Sequence, residues 1–81
     1  MNDLPGGTAL RTPTFSPARL RAARVRKGLT QEQAAGQIGR VLSTYVRYEL
    51  GYLEPSIDAL GALCVALDVP VGALFDDPRN E

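Results

Sequence analysis

The sequence predicts an all-α domain of five short helices, and three observations carry that prediction. Helix-start signals recur at Ser16-Pro17, at Thr30 with Gln33 three residues on, and at Ser56 with Asp58 behind it. Gly28, Gly39 and Gly51 stand where the helical patterns that precede them run out. Between starts and stops, apolar residues return at intervals of three and four, the period of an amphipathic helix. With 81 residues, 44% of them hydrophobic, there is material for one small domain, and a two-domain enzyme is excluded.

The elements follow in order. Residues 1–15 mix Pro5, Gly6, Gly7, Thr8, Thr12 and Pro13 with no apolar period, so they cannot offset their ordering entropy and are expected to form a flexible arm. Ser16 then caps helix 1, and Pro17 takes its first position, where a missing N–H costs nothing. The helix is expected from Pro17 to Lys27, with Leu20 and Ala23, joined by Leu29 after the turn, on its apolar side. Arg24 falls on or beside that side, so its charge needs a partner. Thr30 and Gln33 match a capping box for helix 2, expected to reach about Ile38 with Ala34, Ala35 and Ile38 inward. So short a helix persists only by leaning on neighbours.

Helix 3 is expected over Leu42 to Leu50, with Tyr45 and Tyr48 on one side and Leu42, Ser43, Val46 and Arg47 on the other. Whether it begins near Val41 or at Ser43 is open, because neither Arg40 nor Val41 is a good cap. Ser56 caps helix 4, expected over Ile57 to Leu67 with Ile57, Leu60, Leu63, Cys64 and Leu67 closing the core. Its other side, with Ala59, Ala62 and Val65, is uncharged and expected to be covered by a second copy of the chain. Val69, Val71, Leu74 and Phe75 are expected to make a fifth helical turn after Pro70. The domain is therefore expected to span residues 16–76, with residues 77–81 as a polar tail.

Composition removes whole classes of function. A chain without His, with Cys64 as its one cysteine, has no zinc-ligand spacing, no intrachain disulfide and no histidine general base. No catalytic residues, cofactor or metal are expected, and the protein is expected not to be an enzyme. The start carries Asp3 and no basic n-region, and no apolar run approaches a membrane span, so a cytoplasmic protein is expected. Net charge is zero, but it is divided along the chain. Residues 1–50 hold eight basic and three acidic side chains; residues 51–81 hold Arg79 against six acids. A basic half of this kind is suited to meet phosphate.

Helices 2 and 3 flank a short turn containing Gly39, the helix-turn-helix layout. From Pro17 to Phe75 the chain resembles the helix-turn-helix domain of the Cro and phage-repressor (Xre-type) family of bacterial and phage DNA-binding proteins. The resemblance rests on Leu-Arg-x-x-Arg in helix 1, Gly28-Leu29-Thr30-Gln31, Ala35, Ile38-Gly39, Arg47-Tyr48-Glu49-x-Gly51, Pro55-Ser56, and Ala66-Leu67-x-Val69-x-Val71-x-x-Leu74-Phe75. It implies a lambda-repressor-like fold in which Gln31 holds a phosphate and Leu42, Ser43, Thr44, Val46 and Arg47 face base edges, with Arg40 in the turn near the backbone. It also implies that Glu49 is the partner of Arg24 in a structural ion pair.

Two features depart from the family pattern. The outer side of helix 3 is apolar at Leu42, Val46 and Leu50, and the loop Tyr52-Leu53-Glu54 lacks the basic residue that usually meets phosphate there. The expected function is a sequence-specific transcriptional regulator, bacterial or phage-encoded, that binds double-stranded DNA as a homodimer on a pseudo-palindromic operator, in the cytoplasm and on the nucleoid when bound. A domain this small has no room for an effector module, so no small-molecule ligand is expected. The alternative is a helix-turn-helix domain used mainly to bind protein, as an antitoxin, anti-activator or assembly subunit.

Overall fold

The computed structural model describes residues 12–80, which form four α-helices rather than five. They are α1 (Pro17–Lys27), α2 (Gln31–Gln37), α3 (Leu42–Leu50) and α4 (Ile57–Leu67). The expected fifth helix is a single 3-10 turn, Val71–Leu74. Pro70 precedes it and Phe75 already has extended backbone (φ −123°, ψ 145°), so only four residues remain, enough for tight bonds such as Ala73 N–H to the Pro70 carbonyl at 3.0 Å.

The cap residues act locally. Ser16 Oγ accepts from the Arg19 N–H at 3.1 Å, and Ser56 Oγ from the Ala59 N–H at 3.2 Å. At α2 the capping box is complete: Thr30 Oγ1 accepts from Gln33 N–H at 3.0 Å while Gln33 Oε1 accepts from Thr30 N–H at 2.9 Å. Gly28 and Gly51 end α1 and α3 at φ 83° and 80°, a left-handed conformation that a Cβ disfavours.

Asp68 ends α4 in the same region, at φ 56°, with its acidic side chain at the negative end of the helix dipole. Replacing it by glycine removes both penalties and is offset partly by the freer unfolded chain. Asp68→Gly is therefore expected to stabilise the domain by about 0.5–1.5 kcal/mol. A urea midpoint that rises with unchanged m-value is the expected result; a midpoint equal to or below that of the parent overturns it.

The core gathers Leu20 and Ala23 from α1, Ala34 and Ala35 from α2 with Ile38 after it, Tyr45 and Tyr48 from α3, Ala59, Leu63 and Leu67 from α4, and Leu74. Here α4 departs from expectation. Ile57 is 85% exposed, whereas Ala59, assigned above to the outer side, is 1% exposed and faces the core. Apart from Asp58 the helix is uncharged and apolar on most sides, so its spacing fits two rotational phases. Packing against α1 and α2 selects the one that buries Ala59, Leu63 and Leu67.

The stretch before Ser16 also differs from the expected arm. Thr14–Phe15 forms a strand, β1, antiparallel to β2 (Phe75–Asp76), with Thr14 opposite Asp76 and Phe15 opposite Phe75. The two phenyl rings meet edge to face at 6.2 Å, and the Ser16 N–H donates to the Leu74 carbonyl at 2.8 Å. This ribbon ties the start of the domain to its end. The rest of the expected arm, residues 1–11, lies outside the described residues. Among the described residues no helix is long and apolar enough to cross a membrane.

Candidate nucleic-acid interface

The candidate interface comprises α2, the turn at residues 38–41, and α3. Gly39, at φ 70°, donates its N–H to the Gly36 carbonyl at 3.2 Å, and the Arg40 N–H reaches the Ala35 carbonyl at 3.0 Å, which closes α2 and redirects the chain. Val41 precedes α3 with extended backbone and no side-chain hydrogen bond to the helix, so α3 begins at Leu42 and not at Ser43. Tyr45 and Tyr48 anchor α3 inward, one ring against the other at 6.2 Å.

With those tyrosines buried, the opposite side of α3 faces out. Leu42 is 44% exposed; Ser43 and Arg47 are exposed; Thr44 and Val46 are half-buried. Arg40 is exposed in the turn, its Nη1 at 3.5 Å from the Ile38 carbonyl. Among the described residues neither Arg40 nor Arg47 forms an ion pair. Arg40, Leu42, Ser43, Thr44, Val46 and Arg47 thus lie along one stretch formed by the turn and α3. Ala62 is half-buried and Val65 84% exposed, both on α4; Ala59 is inside and unavailable for any contact between molecules.

Gln31 makes a contact within the protein that its position did not announce. Its Nε2 donates to Glu49 Oε1 at 3.0 Å, so one amide hydrogen is committed within the protein. The same carboxylate accepts from Arg24 Nε at 2.6 Å and Nη2 at 3.2 Å, and from the Tyr45 hydroxyl at 2.5 Å. Arg24 Nη1 donates in turn to the Leu29 carbonyl at 2.9 Å. Glu49 therefore joins α1, the start of α2 and α3 through one nearly buried carboxylate, its side chain 3% exposed and that of Arg24 12%. Sequence reasoning missed Tyr45 and Gln31 as members of this cluster. The spacing of Tyr45 and Glu49, four apart on one helix, was the available signal for the first.

Burial by itself would push the Glu49 carboxyl up, but the hydrogen bonds from Arg24, then Tyr45 and Gln31, outweigh it and hold the group below the ordinary carboxylate range. The Tyr45 hydroxyl is pushed up by its burial and by its bond to Glu49. Arg24 is held protonated by Glu49. The Cys64 thiol is pushed up by burial, away from nucleophilic reactivity. Among the described residues no three His, Cys, Asp or Glu side chains are grouped to hold a metal ion.

Comparison with known proteins places this geometry. Residues 18–77 match the model of a family described as a helix-turn-helix domain. Over 63 residues the chain is 33% identical to the cryptic phage CTXphi transcriptional repressor RstR of Vibrio cholerae, covering 78% of this chain and 57% of that protein, so it spans little more than half of this relative. The restriction-modification controller protein C.AhdI of Aeromonas hydrophila superposes with a TM-score of 0.69 at 36% identity, over 73% of this chain and 89% of that one. The DNA-binding domain of the P22 c2 repressor shares the fold, with a TM-score of 0.70 at 24% identity over 75% and 80% of the two chains.

Proposed function

This chain belongs to the helix-turn-helix domain family of the Cro and phage-repressor type, and from that premise we propose that it regulates transcription by inserting α3 into the major groove of duplex DNA. The observation that carries the reading is the outward side of the turn and α3, where Arg40 and Arg47 stand exposed without an acidic partner among the described residues. Glu49, the one acid of α3, is turned inward and bound to Arg24, so it does not repel phosphate.

Roles divide by position. Arg47, exposed on α3, reads a guanine edge; Arg40, in the turn, meets the backbone. Gln31 keeps one amide hydrogen free of Glu49, and that hydrogen, with the backbone N–H groups at the start of α2, meets phosphate. One such unit reads few base pairs, and the protein works as a homodimer on a pseudo-palindromic operator. The dimer is formed over the outer side of α4, where Ile57 and Val65 are 85% and 84% exposed and Ala62 is half-buried. Such a regulator acts in the cytoplasm, on the nucleoid when bound.

Selection of bound fragments from random duplex DNA tests this reading. Enrichment of a motif with two half-sites about 10 base pairs apart, centre to centre, is expected. Arg47→Ala is expected to relax discrimination at one base pair per half-site by about 1–3 kcal/mol, whereas Gln31→Ala weakens binding to all sequences alike. Equal, sequence-blind losses from both variants would show that Arg47 holds phosphate only. No enrichment at low salt overturns the DNA-binding role.

A further inference from the structure

We infer that the first two turns of α3 read thymine 5-methyl groups through Leu42 and Val46, so that the operator is recognised partly by hydrocarbon contact. The inference rests on the DNA-reading role proposed above and specifies what that site recognises. Leu42 and Val46 are four residues apart on a nine-residue helix, hence on one side of it, and lie in the part of the helix whose residues reach base edges in this layout. Leu42 is 44% exposed, and neither it nor Val46 packs against the core cluster. Among the described residues Leu42 thus leaves apolar surface in solvent, and Val46 beside it is half-buried outside the core cluster.

The charges around them select the occupant. Arg40 lies on one side of the pair in sequence and Arg47 on the other, both exposed, and Glu49 is withdrawn into the cluster with Arg24. An apolar contact framed by cations that have no acidic partner among the described residues suits a polyanion that displays methyl groups between its phosphates. The major groove of DNA is such a surface, because thymine alone of the four bases carries an apolar group there. Ser43 and Thr44, next to Leu42, supply hydroxyls able to bond either a donor or an acceptor on the same base pairs. On this reading part of the operator is recognised by methyl contact and part by hydrogen bonds.

The test uses the duplex enriched by selection, resynthesised with deoxyuridine in place of thymidine one position at a time. Uracil pairs as thymine does and lacks only the methyl group. One or two positions per half-site are expected to lose affinity, by about 4-fold for each methyl that becomes buried. In the Leu42→Ala, Val46→Ala double variant, thymidine and deoxyuridine duplexes are expected to bind equally at those positions, with the melting temperature checked against the parent. If the parent protein binds every deoxyuridine duplex as tightly as the thymidine one, the methyl reading is overturned while DNA binding stands. A double variant that is folded and still prefers thymidine also overturns it, by placing the contact elsewhere. If no duplex is enriched at all, the inference falls together with the DNA-binding role, and the apolar side of α3 belongs to a protein partner.

Discussion

Glu49→Ala and Arg24→Ala are each expected to destabilise the domain by about 3–5 kcal/mol, because each leaves the opposite charge nearly buried and unpaired. The loss of Glu49 is the broader one. It strips Arg24 of two hydrogen bonds and leaves the Tyr45 hydroxyl and the Gln31 amide without their acceptor. A domain of this size has only about 4–12 kcal/mol in all, and each kcal/mol moves its melting temperature by about 4–8 °C, so drops of 10 °C or more are expected. Melting within a couple of degrees of the parent for both variants would mean that the cluster contributes nothing net.

The same cluster sets an acid limit. The Glu49 carboxyl titrates below its ordinary value of 4.5 in the folded chain, since Arg24, Tyr45 and Gln31 outweigh the effect of burial. A group depressed by folding contributes stability that is fully present above its unfolded pKa and is lost as pH falls through the folded one. The parent's melting temperature should therefore fall steeply with pH below 4.5, whereas Glu49→Gln, already destabilised at neutral pH, should show a shallower slope there. Parallel slopes for the two proteins would remove Glu49 from the acid transition.

DNA affinity is expected to fall with salt at a log–log slope of about −3 to −6 per dimer, which is a loss of about 60- to 4,000-fold between 50 and 200 mM salt. The slope is limited because, among the described residues, few cations lie beside α3. Arg40 and Arg47 are exposed beside α3, but the following loop offers Tyr52, Leu53 and Glu54 where a base would meet phosphate, and the half of the chain beyond Leu50 holds Arg79 against six acids. Glu54→Lys is expected to steepen the slope by about one unit per protomer without changing the preferred motif. Mobility shifts over a salt series measure both quantities. A slope near zero would show that phosphate contacts do not hold the complex.

How far the molecule was legible depended on the range of the interactions involved. Ser16-Pro17, the Thr30–Gln33 box and Ser56 begin helices through bonds that close within three residues, and Gly28 and Gly51 end them through their own backbone freedom. Such signals lie inside a short window of sequence. The helix-turn-helix layout, with Tyr45 and Tyr48 on the buried side of α3 and Arg47 on the exposed side, follows from them and from the helical period.

Tertiary structure decided what local signals leave degenerate. In α4 the apolar residues fit two rotational phases, and contact with α1 and α2 buried Ala59 and left Ile57 outside. The fifth helix became a 3-10 turn because Phe75 was drawn into extended pairing with Phe15, a partner at the other end of the domain that no two-residue stretch announces. Arg24 demanded a partner by its place on an apolar side. Glu49 was named as that partner by the family resemblance and not by any local pattern, and that Tyr45 and Gln31 would share its carboxylate was fixed only when three helices converged, since a buried charge is satisfied by whatever the fold brings within hydrogen-bond reach.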